Sequence, residues 1–590
     1  MSRIAVVDNT KLKDMDKKRF IASKCPINRQ EKECIYFEED KLNIDEGLCI
    51  GCGICANLAP EAISIVNLPQ ELDERIIHQF GRNGFHLYSL PTPIFGKVIG
   101  VLGRNGIGKS TAIKMLAGLL KPNFGDHKKT EENIEKEEAF NQLIEFFKGT
   151  EAQAYFEKVA KGKIKVSYKP QKVEDIARAF SGNVRELLTK VDEKNALDEI
   201  SKELSLTKFL DRDISKISGG ELQRVAIAAT VLKKADLYLF DEPTSYLDIK
   251  QRIWISKFIR ELADDDTAVM VIEHDLIILD YMTDMTHIMY GKEGTYGITS
   301  NLYSTKAGIN TYLKGYMKDS NMRFRDKPIE FIEKAPAQFT EVHKLTSWNE
   351  MKKKFSKFSL VAQPGTIHKK QVCGILGENG IGKTSFVKML AGVEKPDSGE
   401  VTQEVKVAYK PQYIESGDNP VAIVLADYIK KYENTIINPL NIQPLLDKTL
   451  NQLSGGELQR VAIAETLCKE AELYLFDEPS AYLDVEQRLL VSKVIRNRME
   501  DTGKTCMVVD HDLLFIDYLS DSIMVVDGEP AIEGKVKGPY SMENGMNKFL
   551  QDLNLTFRRD EESHRPRANK LDSQMDQKQK SENKLYYAGS

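Results

Sequence analysis

Two stretches of this chain carry the residue types that hold a nucleoside triphosphate. They are Gly103-Arg104-Asn105-Gly106-Ile107-Gly108-Lys109-Ser110 and Gly377-Glu378-Asn379-Gly380-Ile381-Gly382-Lys383-Thr384. A Gly-x4-Gly-Lys-Ser/Thr loop opening a helix lets backbone N–H groups cradle phosphates, while Lys109 and Lys383 reach the β/γ-phosphates. The hydroxyls of Ser110 and Thr384 suit Mg2+, with Thr111 and Ser385 next on the first helical turn. Downstream, two apolar runs end in paired carboxylates, Asp241-Glu242 and Asp477-Glu478. In each pair the first carboxylate suits Mg2+ and the second can polarise an attacking water. A histidine follows each pair at nearly the same distance: His274 comes 33 residues after Asp241, and His511 comes 34 after Asp477.

These groups must be positioned by a duplicated scaffold. A stretch beginning Ile217-Ser218-Gly219-Gly220-Glu221-Leu222-Gln223-Arg224 returns as Leu453-Ser454-Gly455-Gly456-Glu457-Leu458-Gln459-Arg460, and in each copy the first carboxylate lies 23 residues after the serine. A repeat of this length sets the architecture. Val98-Ile99-Gly100-Val101-Leu102 reads as a buried strand feeding the first loop, and residues 110–116 as the helix after it. The copies differ in one place, because Lys109 to Gln171 spans 62 residues and Lys383 to Gln412 only 29. The surplus lies at about 126–162. Within it Phe140, Leu143, Ile144 and Phe147 follow helical spacing. Gly149 ends that helix, and Thr150 with Gln153 caps a second. The insertion is thus a helical hairpin, either a surface decoration or a docking element.

Composition narrows the class. The chain has 590 residues, 41% hydrophobic and 29% charged, with net charge −5, which fits a multidomain globular protein. No apolar run approaches the ~18 residues of a membrane span, and the N-terminal residues lack the apolar core of a secretory signal. Net charge offers no general attraction to nucleic acid, so any RNA contact needs local basic patches. Two such patches follow the copies: Asn321-Met322-Arg323-Phe324-Arg325, and Phe557-Arg558-Arg559-Asp560 running to Arg565-Pro566-Arg567. They read as hinges that brace the two copies and touch RNA phosphates. The segment 573–584 reads as a polar, mobile tail.

Five of the eight cysteines crowd between Cys25 and Cys55, a metal-site pattern in a reducing compartment. Cys49-Ile50-Gly51-Cys52-Gly53-Ile54-Cys55 is C-x2-C-x2-C, and Cys25-Pro26 supplies the Cys-Pro that completes bacterial-type cluster motifs from elsewhere in the fold. Cys25, Cys49, Cys52 and Cys55 therefore form one full ligand set for a [4Fe–4S] cluster. The same thiolates could hold zinc, or the loop could be a vestige. The x3-Cys-Pro continuation is broken, with Ala59 before Pro60. Cys34 is left over as a core residue, and Cys373, Cys468 and Cys506 read as buried apolar side chains.

The Leu/Ile-Ser-Gly-Gly-Glu motif resembles that of the ATP-binding-cassette (ABC) superfamily. The resemblance implies an α/β fold with two tandem ABC-type P-loop nucleotide-binding domains, and it assigns further roles. Gln171 and Gln412 would sense Mg2+ and the γ-phosphate, Asp248 and Asp484 would belong to the D-loops, and His274 and His511 would be γ-phosphate switches. Ser454, Gly455 and Gly456 would complete the first ATP site, and Ser218, Gly219 and Gly220 the second. An aromatic residue would lie under each adenine, Phe80 or Phe85 in the first copy and Trp348 or Phe358 in the second.

With the cysteine segment, the hairpin insertion and the hinges, nearly the whole chain resembles subfamily E of the ABC proteins, the RNase L inhibitor or ribosome-recycling ATPases of archaea and eukaryotes. Further matches are Asn67-Leu68-Pro69, Leu90-Pro91-Thr92-Pro93, Gly149-Thr150-Glu151 and Asn569-Lys570-Leu571-Asp572. The implied organisation is a small ferredoxin-like iron–sulfur domain at 1–75, cassettes at 76–320 and 321–545, and a hinge and tail at 546–590. Relatives carry two clusters; here the other ligand set falls near Leu12, Lys17 and Ile21, which cannot bind iron. The resemblance implies a cytoplasmic monomer, free of membrane, that uses ATP and Mg2+ to split ribosomes. Its partners would be the ribosome, chiefly the small subunit's RNA and protein, a release factor or Pelota-like factor, and initiation factors. The alternatives are a non-splitting translation factor of the subfamily F type and a DNA-repair or chromosome ATPase.

Overall fold

The computed structural model describes residues 3–67, 75–128, 136–149, 151–331, 344–401, 405–412, 414 and 417–587. Two eight-stranded sheets share one strand order. The first runs His78–Gln79, His86–Leu87, Tyr296–Ser304, Met285–Lys292, Val98–Leu102, Ala268–Ile272, Leu237–Asp241, Val166–Lys169. The second runs Met351–Lys354, Ser359–Ala362, Glu533–Ser541, Ser522–Glu529, Val372–Gly377, Thr505–Val509, Leu473–Asp477, Val407–Lys410. The strands beside each phosphate loop pair in parallel. Val98–Leu102, Leu237–Asp241 and Ala268–Ile272 are buried along their whole length, because helices cover both faces of a parallel sheet. In register, Ile272 pairs with Asp241. The phosphate loop, the acidic pair and His274 thus leave the same ends of adjacent strands, where open α/β sheets bind ligands.

The insertion in the first cassette forms two helices, Lys136–Phe146 and Glu151–Ala160. Phe140, Leu143, Tyr155 and Phe156 pack onto the core of that cassette. Gly149 N–H donates to Gln153 Oε1 at 2.7 Å, while Thr150 lies outside the described residues, as do Leu68 and Pro69 of the Asn-Leu-Pro match.

The N-terminal unit pairs strand Arg3–Val7 antiparallel with Ile63–Asn67 and adds a hairpin, Ile35–Glu38 with Lys41–Ile44. It is bolted to the first cassette through Asn83, whose carbonyl accepts from Val7 N–H and whose side chain exchanges two hydrogen bonds with Ile44.

One expectation about the C-terminal region fails. The segment after Ser573 is not a loose tail. It forms helix Gln574–Ser581, held by Thr556 Oγ1 donating to Asp576 at 2.6 Å and by buried Asn569 and Gln579. Three of the hinge arginines, Arg325, Arg565 and Arg567, turn their charges inward, while Arg323 stays exposed. Arg565 and Arg567 converge on Asp280 of the first cassette at 2.8 and 2.6 Å, and Arg325 pairs with Glu486 of the second. Each hinge therefore ties to the cassette it does not follow in sequence. A guanidinium desolvated against internal carboxylates is not free to hold phosphate.

Candidate active site: paired phosphate loops

Both phosphate loops are built alike. Gly108 and Gly382 begin helices Lys109–Leu116 and Lys383–Leu390 at φ +88° and +95°. A side chain there would be strained, and its Cβ would also strike Phe85 or Phe358 at 2.8 and 2.9 Å, so only glycine fits. Lys109 Nζ donates to the Gly103 and Arg104 carbonyls at 2.9 and 2.6 Å, and Lys383 bonds Gly377 and Glu378 in the same way. Gly106 and Gly380 shape the loops with positive φ. Thr111 and Ser385 hold equivalent places on the first helical turns.

The acidic pairs lie beside these loops. Burial raises the Asp241 carboxyl, with the Ser110 hydroxyl opposing, and Asp477 is raised likewise against Thr384. Among the described residues, Asp241 Oδ1 and Asp477 Oδ2 are buried without a hydrogen-bond partner. Two desolvated carboxylate oxygens, each beside a hydroxyl, fit a hard divalent cation. Gln171 Nε2 donates to Glu242 Oε1 at 2.6 Å, and Gln412 Nε2 to Glu478 Oε1 at 2.7 Å. His274 Nε2 lies 3.4 Å from Glu242 Oε1, and His511 Nε2 lies 3.6 Å from Glu478 Oε1. Burial alone would raise the Glu242 carboxyl, but His274, Lys109 and Ser245 hold it down at about 2. Burial drives His511 well below the ordinary histidine range, with Lys383 and Arg252 adding to the effect. Burial also brings Lys383 down to about 8. The sites differ at the glutamate itself: Ser245 Oγ donates to Glu242 Oε2 at 3.1 Å, where the second cassette has Ala481.

The two cassettes face each other across one large cleft of about 2500 Å3. Its walls include Ser218, Gly219 and Gly220 from one cassette, Ser454, Gly455 and Gly456 from the other, and Glu242, Glu478, His274 and His511. Ser218 and Ser454 cap helices Gly219–Val231 and Gly455–Cys468, each closing a capping box with Glu221 or Glu457. Asp248 and Asp484 each use one carboxylate oxygen to cap their own helix and the other to cross the cleft. Asn105 N–H donates to Asp484 at 3.2 Å, and Asn379 N–H donates to Asp248 at 3.0 Å. Two residues beyond each aspartate a second bridge crosses, Arg104 with Glu486 and Glu378 with Lys250. These bridges escaped sequence reading, although a signal was present. Equivalent positions in the two copies carry opposite charges, as a crossed pairing requires.

The aromatic assignments need one correction. Phe80 is 44% exposed, and its amide bonds the Phe85 carbonyl; Phe355 and Phe358 repeat that turn in the second cassette. Trp348 is 2% exposed, donates its indole N–H to Gln363 O and packs on Phe386. It is a core residue and cannot reach an adenine. Phe358 lines the cleft. The residue that sequence reading missed is Phe355, which falls where Phe80 falls.

Cys25, Cys49, Cys52 and Cys55 line one small apolar cavity in the N-terminal unit. Cys34 is buried as expected, but it is not apart from the others: it lines the same cavity against Cys25 and Cys49. Burial pushes the Cys55 thiol up to about 11. Among the described residues no three His, Cys, Asp or Glu side chains converge tightly enough to grip a single metal ion. Leu12, Ile21 and Ala59 are packed in this unit's core, and Lys17 pairs at the surface with Glu61. Apolar packing and one surface ion pair occupy the places where the resemblance puts a second ligand set.

The ABC transporter family model matches residues 95–245 and 363–481. Among the described residues no helix is long and apolar enough to cross a membrane. The chain is 41% identical to ABC transporter E family member 1 of Arabidopsis thaliana, over 100% of this chain and 99% of that protein. It is also 41% identical to translation initiation factor RLI1 of Saccharomyces cerevisiae, over 99% and 98% of the two chains. A solved structure, a model of ribosome-bound archaeal Pelota and ABCE1, superposes with TM-score 0.90 and 47% identity, covering 100% of this chain and 99% of the other. Likeness at this identity, end to end and in both nucleotide-binding halves, means that the chain belongs to subfamily E of the ABC ATPases, the RNase L inhibitor family.

Proposed function

We propose that this ATPase splits ribosomes into subunits after termination or stalling, in the cytoplasm, with a further link to initiation. The observation that carries the reading is that the likeness runs through the whole chain, N-terminal unit included, to a protein described as ribosome-bound together with Pelota. A yeast relative named as a translation initiation factor supports the link to initiation.

Each ATP lies between the phosphate loop of one cassette and the Ser-Gly-Gly turn of the other. Lys109 and Lys383 exchange their loop carbonyls for phosphate oxygens. Ser110, Gln171 and Asp241 hold one Mg2+, and Thr384, Gln412 and Asp477 the other. When bound, Mg2+ neutralises charge on the transferring phosphoryl group. Glu242 and Glu478 orient and polarise the attacking water, and His274 and His511 contact the γ-phosphate. Ser454, Gly455 and Gly456 complete the first site, and Ser218, Gly219 and Gly220 the second. Phe80 with Phe85, and Phe355 with Phe358, form the adenine-side turns. Asn83 lies within the first of these turns, so adenine contact and the N-terminal unit share a support. Closure on ATP biases a two-state interface and swings that unit between the ribosomal subunits.

Residues 1–75 are read as a ferredoxin-like unit with one [4Fe–4S] cluster on Cys25, Cys49, Cys52 and Cys55. The C-x2-C-x2-C run of Cys49, Cys52 and Cys55 with the remote Cys25-Pro26 supports a cluster, and these four thiols line one common cavity. The cluster when bound cross-links four thiolates, which stiffens the unit as a wedge.

Ribosomes incubated with the protein, MgATP and a release or Pelota-type factor should resolve into subunit peaks on a density gradient. Intact ribosomes carrying the protein would instead indicate a non-splitting factor of the subfamily F kind.

A further inference from the structure

Glu242 and Glu478 share an uncommon backbone. Their φ angles are +47° and +48°, in the left-handed region where few non-glycine residues sit and where surrounding structure must hold them. The holding groups are identical in the two cassettes. Lys169 Nζ donates to the Asp241 carbonyl at 2.9 Å and to the Glu242 carbonyl at 3.1 Å, and Gln223 Nε2 donates to the same Glu242 carbonyl at 2.7 Å. In the second cassette Lys410 reaches Asp477 O at 2.8 Å and Glu478 O at 3.4 Å, and Gln459 reaches Glu478 O at 2.6 Å.

Lys169, Lys410 and Gln223 are 0% exposed, and Gln459 is 1% exposed. A buried ammonium is costly unless compensated. These two lysines lie one strand away from the acidic pair, where an apolar residue would pack as well, and no nucleotide role uses them. What they do is fix two successive peptide carbonyls at the point where the chain turns out of the sheet. With φ and ψ pinned there, the Cα–Cβ direction of the glutamate is pinned as well.

We propose that Lys169 with Gln223, and Lys410 with Gln459, are positioning residues that aim the Glu242 and Glu478 carboxylates at the attacking water by clamping their backbone. This rests on the assignment of those glutamates as the water-polarising groups. The clamp also links the two sites. Gln223 lies on helix Gly219–Val231, whose capping Ser218 lines the cleft and in the proposed sandwich completes the second site, so the helix that closes on one ATP holds the base that acts on the other. Gln459 does the same in reverse from helix Gly455–Cys468.

The test uses the full chain with Glu478→Gln, so that turnover reports the first site. There Lys169→Met should lower kcat about 10²-fold, the scale expected for misplacing a catalytic group by about 1 Å, with the KM for ATP within about twofold. Lys169→Arg should recover part of the loss. Gln223→Leu, which is milder and carries the test should Lys169→Met not fold, should show a smaller fall with the same pattern. Glu242→Gln in that background separates the two claims. If it leaves hydrolysis intact, the base assignment fails and the clamp with it. If it abolishes hydrolysis while Lys169→Met and Gln223→Leu turn over normally, the clamp alone is overturned. A rise in KM matching the fall in kcat would also overturn it, by showing general damage to the site.

Discussion

Removing one carboxylate should release the C-terminal segment from the first cassette. Asp280 accepts Arg565 at 2.8 Å and Arg567 at 2.6 and 2.9 Å, and the side chains of Arg565 and Asp280 are 0% and 3% exposed. Asp280→Asn keeps the shape and strands a buried guanidinium. Breaking such a pair costs about 3–5 kcal/mol, and because Asp560 still faces Arg567 at 3.4 Å the lower end applies. About 3 kcal/mol is roughly a 10²-fold gain in local opening. Amide exchange reads it directly at Asp560, His564 and Asn569, whose N–H groups bond Arg565, Asp560 and Thr556, while amides of Val98–Leu102 should be unchanged. Unchanged exchange at the first three, or an equal rise everywhere, would refute this anchoring by Asp280. The same contact has a pH signature. Burial opposes the Asp280 charge, but Arg565 and Arg567 outweigh it and hold its carboxyl below the ordinary value. A depressed folded-state value contributes stability above the unfolded pKa of about 3.9. Protection in this segment should therefore be flat near neutrality and fall only as pH drops below about 4.

Further outcomes follow from the two sites' differences. Glu486 joins Arg104 of the first phosphate loop to Arg325 of the hinge, largely buried, whereas Lys250–Glu378 is a more exposed pair without a hinge arm. Glu486→Gln should weaken ATP retention at the first site about tenfold, and Lys250→Met should change the second by less than about fivefold, since exposed pairs are weak; equal effects would contradict the asymmetry. Ser245→Ala removes one bond to Glu242 and should slow first-site turnover by about fivefold, the scale of one hydrogen bond, as measured in single-turnover hydrolysis. Anaerobically purified protein should contain about four irons and four sulfides per chain. That content should survive Cys34→Ser and be lost in Cys52→Ser; near-zero iron in the parent protein would remove the cluster from the account.

Much of this was legible because the chemistry is local. A phosphate loop, an acidic strand end and a capping serine are each written in a few consecutive residues, and duplication allows each copy to check the other. The errors arose where long-range packing decides. Trp348 and Phe358 are both aromatic near the right place, and only the sheet shows that one faces the core. The inward ion pairs of Arg325, Arg565 and Arg567 could not be read in sequence because Glu486 and Asp280, which accept them, lie far away in the chain. The polar run after Ser573 orders because buried Asp576, Asn569 and Gln579 satisfy one another, a network that composition does not reveal. Cys34 was legible as a core residue, but its place beside Cys25 and Cys49 depends on long-range packing that spacing does not show.

In the proposed mechanism closure on ATP drives splitting and hydrolysis ends it. The most direct measurement is sedimentation of the Glu242→Gln, Glu478→Gln double variant with ribosomes, MgATP and a termination or rescue factor. Ribosomes should split, and the variant should stay bound to the small subunit after wild type has left. Intact ribosomes, or small subunits that shed the variant as fast as wild type, would contradict this mechanism.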